Sequence, residues 1–123
     1  MNKNNTNAIE MQKAAEKIAT GQITFAARDS EFDGHSIKKG ELMALLGGKI
    51  TFVDTDLEKT VMKLLKQMIK RDSQFVTVIY GEDVTESQAA AIEAQIQAKY
   101  GSKTEITMIN GGQPIYYYII SVE

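Results

Sequence analysis

The sequence predicts a single α/β domain built on a mixed sheet, with one parallel βαβ unit and a C-terminal antiparallel strand. Three features lead there. Residues 75–110 read strand, helix, strand, and such a unit joins parallel strands through a right-handed crossover. A second amphipathic helix precedes that unit, after Thr55. The remaining β-type runs are short and separated by Asp33-Gly34, Lys39-Gly40, Gly47-Gly48 and Gly111-Gly112, the punctuation of antiparallel turns.

Taken in order, residues 1–7 read as a polar tail, disordered or appended, ahead of a domain spanning 8–123. Ala8, Met11, Ala15 and Ile18 recur at helical spacing, and Gly21 stands where a helix-ending glycine is expected. Gln22 to Arg28 alternates as a half-buried strand, with Ile23, Phe25 and Ala27 on one side. Short apolar pieces around Ile37, over Leu42–Leu46 and over Ile50–Val53 fit small strands. Thr55 with Glu58 has capping-box spacing, and the helix behind it carries the apolar stripe Leu57, Val61, Leu64, Leu65, Met68. Phe75–Tyr80 is a nearly unbroken apolar run, which predicts a strand covered on both faces. Thr85 with Gln88 opens a second helix, running to about Tyr100 before Gly101. Thr104–Asn110 and the terminal Tyr116–Val122 close the chain as strands, joined by a Gly-Gly-Gln-Pro link that reverses direction tightly.

Composition narrows the function. With 123 residues the chain is long enough for one real core. A net charge of −2 exerts no general pull on nucleic acid or anionic membrane. The sequence has no cysteine and one histidine, His35, which excludes disulfides, thiolate metal sites and a Cys–His nucleophile. No apolar run reaches the roughly 18–20 residues of a membrane span, and no signal-peptide pattern opens the chain, so the expected location is cytoplasmic.

The candidate site follows from topology. Parallel strands of a βαβ unit end on the same edge, so Gly81-Glu82 and Gly111-Gly112-Gln113-Pro114 are expected side by side, where open α/β sheets receive ligands. Arg28-Asp29 closes an earlier strand, and Tyr116 follows the proline. Lys59, Lys63, Lys66 and Lys70 form a basic ridge, read either as a solvated helix face or as a secondary docking surface. Glu82, Asp83 and Glu86 surround a helix start, where acidic residues complement the helix dipole; no metal ligand set is read from them. No phosphate-loop or dinucleotide fingerprint is present.

Four ordered blocks carry a resemblance: Phe25-Ala26-Ala27-Arg28-Asp29, Ile37-Lys38-Lys39-Gly40-Glu41, Val76 to Thr85, and Asn110-Gly111-Gly112-Gln113-Pro114-Ile115-Tyr116. Together they resemble the C-terminal domain of the dihydroxyacetone-kinase-like (DAK2/DhaL-type) component of bacterial fatty acid kinase, over about residues 10–123. The resemblance implies a parent enzyme with an N-terminal domain that binds ATP and magnesium, a middle domain, and this domain. It implies a substrate presented as an acyl chain inside a separate DegV-family fatty-acid-binding protein, phosphorylated for phospholipid synthesis. It also implies that this domain is itself non-catalytic and free of cofactor, engaging the DegV-family carrier and the other kinase domains rather than nucleic acid. Met1 ahead of the matching region suggests an excised domain or a stand-alone relative. The expected contact edge is Arg28, Asp29, Gly81, Glu82, Gly111, Gly112, Gln113, Pro114 and Tyr116. An acyl- or small-molecule-binding domain is the alternative, and a complete enzyme the third reading.

Overall fold

A computed structural model describes residues 18–32 and 34–123. The chain runs β1 (Ala19–Phe25), β2 (Ser30–Phe32), β3 (His35–Ile37), β4 (Leu42–Leu46), β5 (Lys49–Asp54), α1 (Leu57–Met68), β6 (Phe75–Tyr80), α2 (Glu86–Tyr100), β7 (Glu105–Asn110) and β8 (Tyr116–Val122). Six strands form one sheet in the order β5-β4-β1-β8-β6-β7, and β2 with β3 makes a separate hairpin. Only β6 and β7 pair in parallel; the other neighbours are antiparallel. The mixed α/β architecture is therefore as the sequence predicts.

Strand order decides where the helices go. Counting antiparallel steps across the sheet makes β5 parallel to β6, so β5-α1-β6 and β6-α2-β7 are both crossovers and both move the same way. Right-handedness then puts α1 and α2 on one face. They touch there, the Gln95 amide donating to the Glu58 carboxylate at 3.0 Å. Beneath them lie Ile23, Ala44, Val76, Val78, Tyr118, Ile120 and Val122, sealed by Val61, Leu64, Leu65 and Met68 from α1 and Ala89, Ile92 and Ile96 from α2. Leu57, the first residue of the predicted stripe, is half-buried.

Several sequence expectations change in the folded chain. The helix expected over residues 8–18 lies almost wholly outside the described residues, and Gly21 is not its terminator: it sits inside β1, paired with Leu46 and Ile120. A Cβ there would meet Met68 Sδ at 2.7 Å, so glycine lets α1 approach the sheet. The first helix is capped by Asp56, whose carboxylate accepts from the Lys59 amide at 3.1 Å, and not by Thr55. The second box, Thr85 with Gln88, is present in full. Phe75–Tyr80 is not covered on both faces. Val76 and Val78 are buried under the helices, while Phe75 is 45% exposed, because both crossovers use the same side.

The second face carries its own apolar row. Ile50, Leu45, Gln22, Ile119, Ile79 and Ile109 are successive partners across all six strands, broken only by Gln22. That row makes 75–80 read as continuously hydrophobic.

The terminal strand brings a further correction. β8 does not form a hairpin with β7; it enters between β6 and β1, pairing with both. Its Tyr118 is fully buried, and the hydroxyl has no hydrogen-bond partner among the described residues. Burial, reinforced by Glu58 and Tyr80, pushes that phenol up. Tyr118→Phe removes an uncompensated polar group and is expected to stabilise the domain by about 1 kcal/mol, read from urea denaturation.

At the other end of the sheet, Lys63 donates to Asp54 Oδ2 at 2.8 Å. That hydrogen bond, then those from the Asp56 and Thr55 amides, holds the Asp54 carboxyl at about 2, below its ordinary 3.8. A carboxyl depressed in the folded state stabilises the fold above roughly pH 4 and loses that contribution as pH falls toward about 2. Asp54→Asn should therefore lower the thermal midpoint at pH 7 and leave it close to wild type at pH 2, measured by melts at both values.

Candidate functional site

β1, β6 and β7 point the same way, so their carboxyl ends share an edge with the amino end of β8. The chain leaving β7 must pass over the end of β6 to enter β8, and this crossing builds the site. Gly111 and Gly112 both donate their amides to the Tyr80 carbonyl, at 2.9 and 3.2 Å. Gly81 donates to the Tyr117 carbonyl at 2.8 Å, and Glu82 to the Gln113 carbonyl at 3.0 Å. The two segments lie so close that a Cβ on Gly81 would collide with the carbonyl oxygens of Tyr116 and Gln113. Glycine is required at 81 for space; at 112 it is required by a φ of 61°, with open room around it.

The Gln113 amide turns back along the loop, giving long contacts to the Ile79 and Tyr116 carbonyls at 3.4 and 3.3 Å. It braces the crossing. Pro114 is exposed at the tip, Tyr116 is half-buried, and Glu82 and Asp83 are exposed beside them. From β1, the Thr24 hydroxyl donates to the Ile115 carbonyl at 2.8 Å, tying the loop to the third strand of the edge.

Arg28 and Asp29 follow β1 on the same edge, both exposed. Asp29 Oδ1 accepts the Lys39 amide at 2.8 Å, pinning the segment that carries β2 and β3, while the base of that excursion closes by Ala26–Glu41 and Gly40–Ala26 backbone bonds. Thus Gly81, Glu82, Gly111, Gly112, Gln113, Pro114 and Tyr116 come together around one crossing, and Arg28 and Asp29 share its sheet edge.

The lysine ridge does not stay together. Lys63 is engaged with Asp54 and lies over the Phe52 ring, 5.8 Å from its centroid. Lys59 and Lys66 are exposed on α1, but Lys70 falls beyond its end at Met68. Lys70 instead joins Arg71, Lys99 and Lys103 around a cleft of about 370 Å³ at the opposite end of the sheet. This grouping is invisible in sequence because it needs the ends of two helices brought together.

Two contributors to the edge also escape sequence reading. Phe25, 36% exposed, has its ring centroid 5.8 Å from that of Tyr117, and Ile115 is 61% exposed. Alternation signalled Phe25 only as an inward residue; nothing local marked Ile115. Among the described residues, no three His, Cys, Asp or Glu side chains gather as a metal site, and no helix is long and apolar enough to cross a membrane.

Fold and edge define a small α/β domain with one braced loop crossing and an exposed apolar tip. Residues 2–123 match the FakA-like C-terminal family, that of fatty acid kinase subunits, and the chain belongs to it. It is 38% identical over 117 residues to Protein YloV of Bacillus subtilis, a match covering 95% of this chain and 21% of that protein. An uncharacterized protein of Staphylococcus haemolyticus is 41% identical, and one of Staphylococcus aureus 36%, over the same length and shares. The chain thus spans about a fifth of the curated relatives it matches.

The crossing is testable. Gly81→Ala should cost about 2–3 kcal/mol through carbonyl collision, whereas Gly112→Ala, with room but an unfavourable φ, should cost about 1–2 kcal/mol. Urea denaturation of both variants, with hydrogen exchange at the Gly111 and Gly112 amides, separates the two causes.

Proposed function

We propose that this domain is the docking module of a fatty-acid-kinase-type protein, of the dihydroxyacetone-kinase-like kind. In this reading it holds a fatty-acid-loaded DegV-family carrier so that ATP- and magnesium-dependent chemistry, housed elsewhere in the parent, can phosphorylate the acyl carboxylate for phospholipid synthesis. The domain itself contributes recognition and no catalytic group. Its setting is the cytoplasm, where the other kinase domains and the carrier are available to it.

The observation that carries the reading is the Gly111–Ile115 crossing. A loop tied by backbone bonds to two strands, and by a side-chain bond to a third, presents a rigid surface. Rigidity reduces the ordering cost of association. Its exposed Glu82, Pro114 and Ile115, with Arg28 on the same edge, combine apolar area with charge, the mixture found at protein interfaces. Family membership supports the kinase context.

Calorimetric titration of this chain with a fatty-acid-loaded DegV-family protein is expected to give saturable binding with a Kd in the micromolar range or tighter. Arg28→Ala combined with Glu82→Ala should weaken it by about tenfold, since paired charges at an interface act on encounter and register. Absence of wild-type binding at high concentration would overturn the docking role.

A further inference from the structure

Ile115 is the sole non-glycine residue with positive φ among the described residues, at 75°. The Tyr116 amide donates to the Pro114 carbonyl at 2.8 Å, so a three-residue ring closes around Ile115. This is a γ-turn of the positive-φ kind, which is rare and strained, and a β-branched side chain is among the least suited to its centre. Glycine would enter the same turn without that strain.

The surroundings explain how the strain is held. Pro114 sets the preceding φ, Thr24 holds the Ile115 carbonyl, and the flanking residues are fixed against Gly81. They do not explain why isoleucine occupies the position. Its side chain is 61% exposed, more than that of Ile18, Phe25, Phe75 or Ile109, so folding gains little apolar burial from it. Strain that persists at an exposed residue because its surroundings over-determine it marks a site whose benefit lies outside the folded chain.

We propose that Ile115 is the apolar anchor of the docking edge, inserted on association into an apolar socket of the partner protein; this rests on the docking reading above. The half-exposed Phe25 and its neighbour Tyr117 supply the adjoining apolar surface. Glu82 and Asp83 are exposed beside the loop, and the Glu82 amide is bonded to Gln113. The socket is therefore bordered by Lys or Arg side chains, which complement that acidic rim. The same acidic rim disfavours an anionic lipid surface as the occupant.

The decisive comparison sets stability against affinity. Wild type, Ile115→Gly and Ile115→Val are each titrated with the fatty-acid-loaded DegV-family protein and melted alone. An anchor predicts that Ile115→Gly melts at or above the wild-type midpoint yet binds about tenfold or more weakly. Ile115→Val should retain most of the affinity. Equal affinity of wild type and Ile115→Gly overturns the anchor while docking stands. A lower midpoint for Ile115→Gly shows that the side chain serves the fold, and also overturns it. If wild type fails to bind, the docking reading itself falls. Charge reversal by Glu82→Lys with Asp83→Lys should slow association at low ionic strength; an unchanged rate overturns the basic-rimmed socket.

Discussion

The contact between the C-terminal loop and the end of β6 is the constraint on which the rest of the molecule depends. β8 has to lie between β6 and β1, so the chain leaving β7 must cross the strand that separates them. A crossing at backbone contact distance leaves no room for a Cβ at Gly81. It also turns the ends of the strands into a set of reciprocal hydrogen bonds, in which Tyr80 accepts from two glycines while Gly81 and Glu82 donate back. Once β8 is in place, it joins the parallel βαβ half to the antiparallel β1-β4-β5 half. Its inward residues, Tyr118, Ile120 and Val122, then become the centre of the core.

The two faces and two ends of the sheet are unequal for related reasons. Right-handed crossovers that advance in the same direction put both helices on one side, which concentrates the aliphatic core there. The other face keeps a row of Ile50, Leu45, Ile119, Ile79 and Ile109 around a central Gln22. At one end lie the braced loop, exposed apolar groups and acidic side chains. At the other, the ends of α1 and α2 bring Lys70, Arg71, Lys99 and Lys103 around a cleft, where cations also complement the helix C-termini.

These asymmetries suit a domain that makes up about a fifth of a longer protein. In the docking reading, the loop edge is held by the fold before any partner arrives. Ile115 then converts conformational strain inside the domain into contact area outside it. The division of labour in a fatty-acid-kinase-type parent would place recognition here and phosphoryl transfer in other domains.

What the sequence alone determined was local. The Thr85–Gln88 box lies within four consecutive residues, and the Val61, Leu64, Leu65, Met68 stripe repeats along a single helix. Both are written by spacing, because their partners are near in the chain. The parallel β6-α2-β7 unit, and hence the nearness of Gly81 to Gly111, was legible for the same reason. Tertiary structure decided what depends on distant strands. It moved Gly21 from an expected helix end into β1 against Met68, inserted β8 beside β6 instead of β7, and chose Asp56 over Thr55 as the cap. It also put Ile115 into a positive-φ turn braced by Thr24, 91 residues away in sequence. No local propensity encodes that last arrangement, since an isoleucine adopts it only where long-range contacts leave the backbone no alternative.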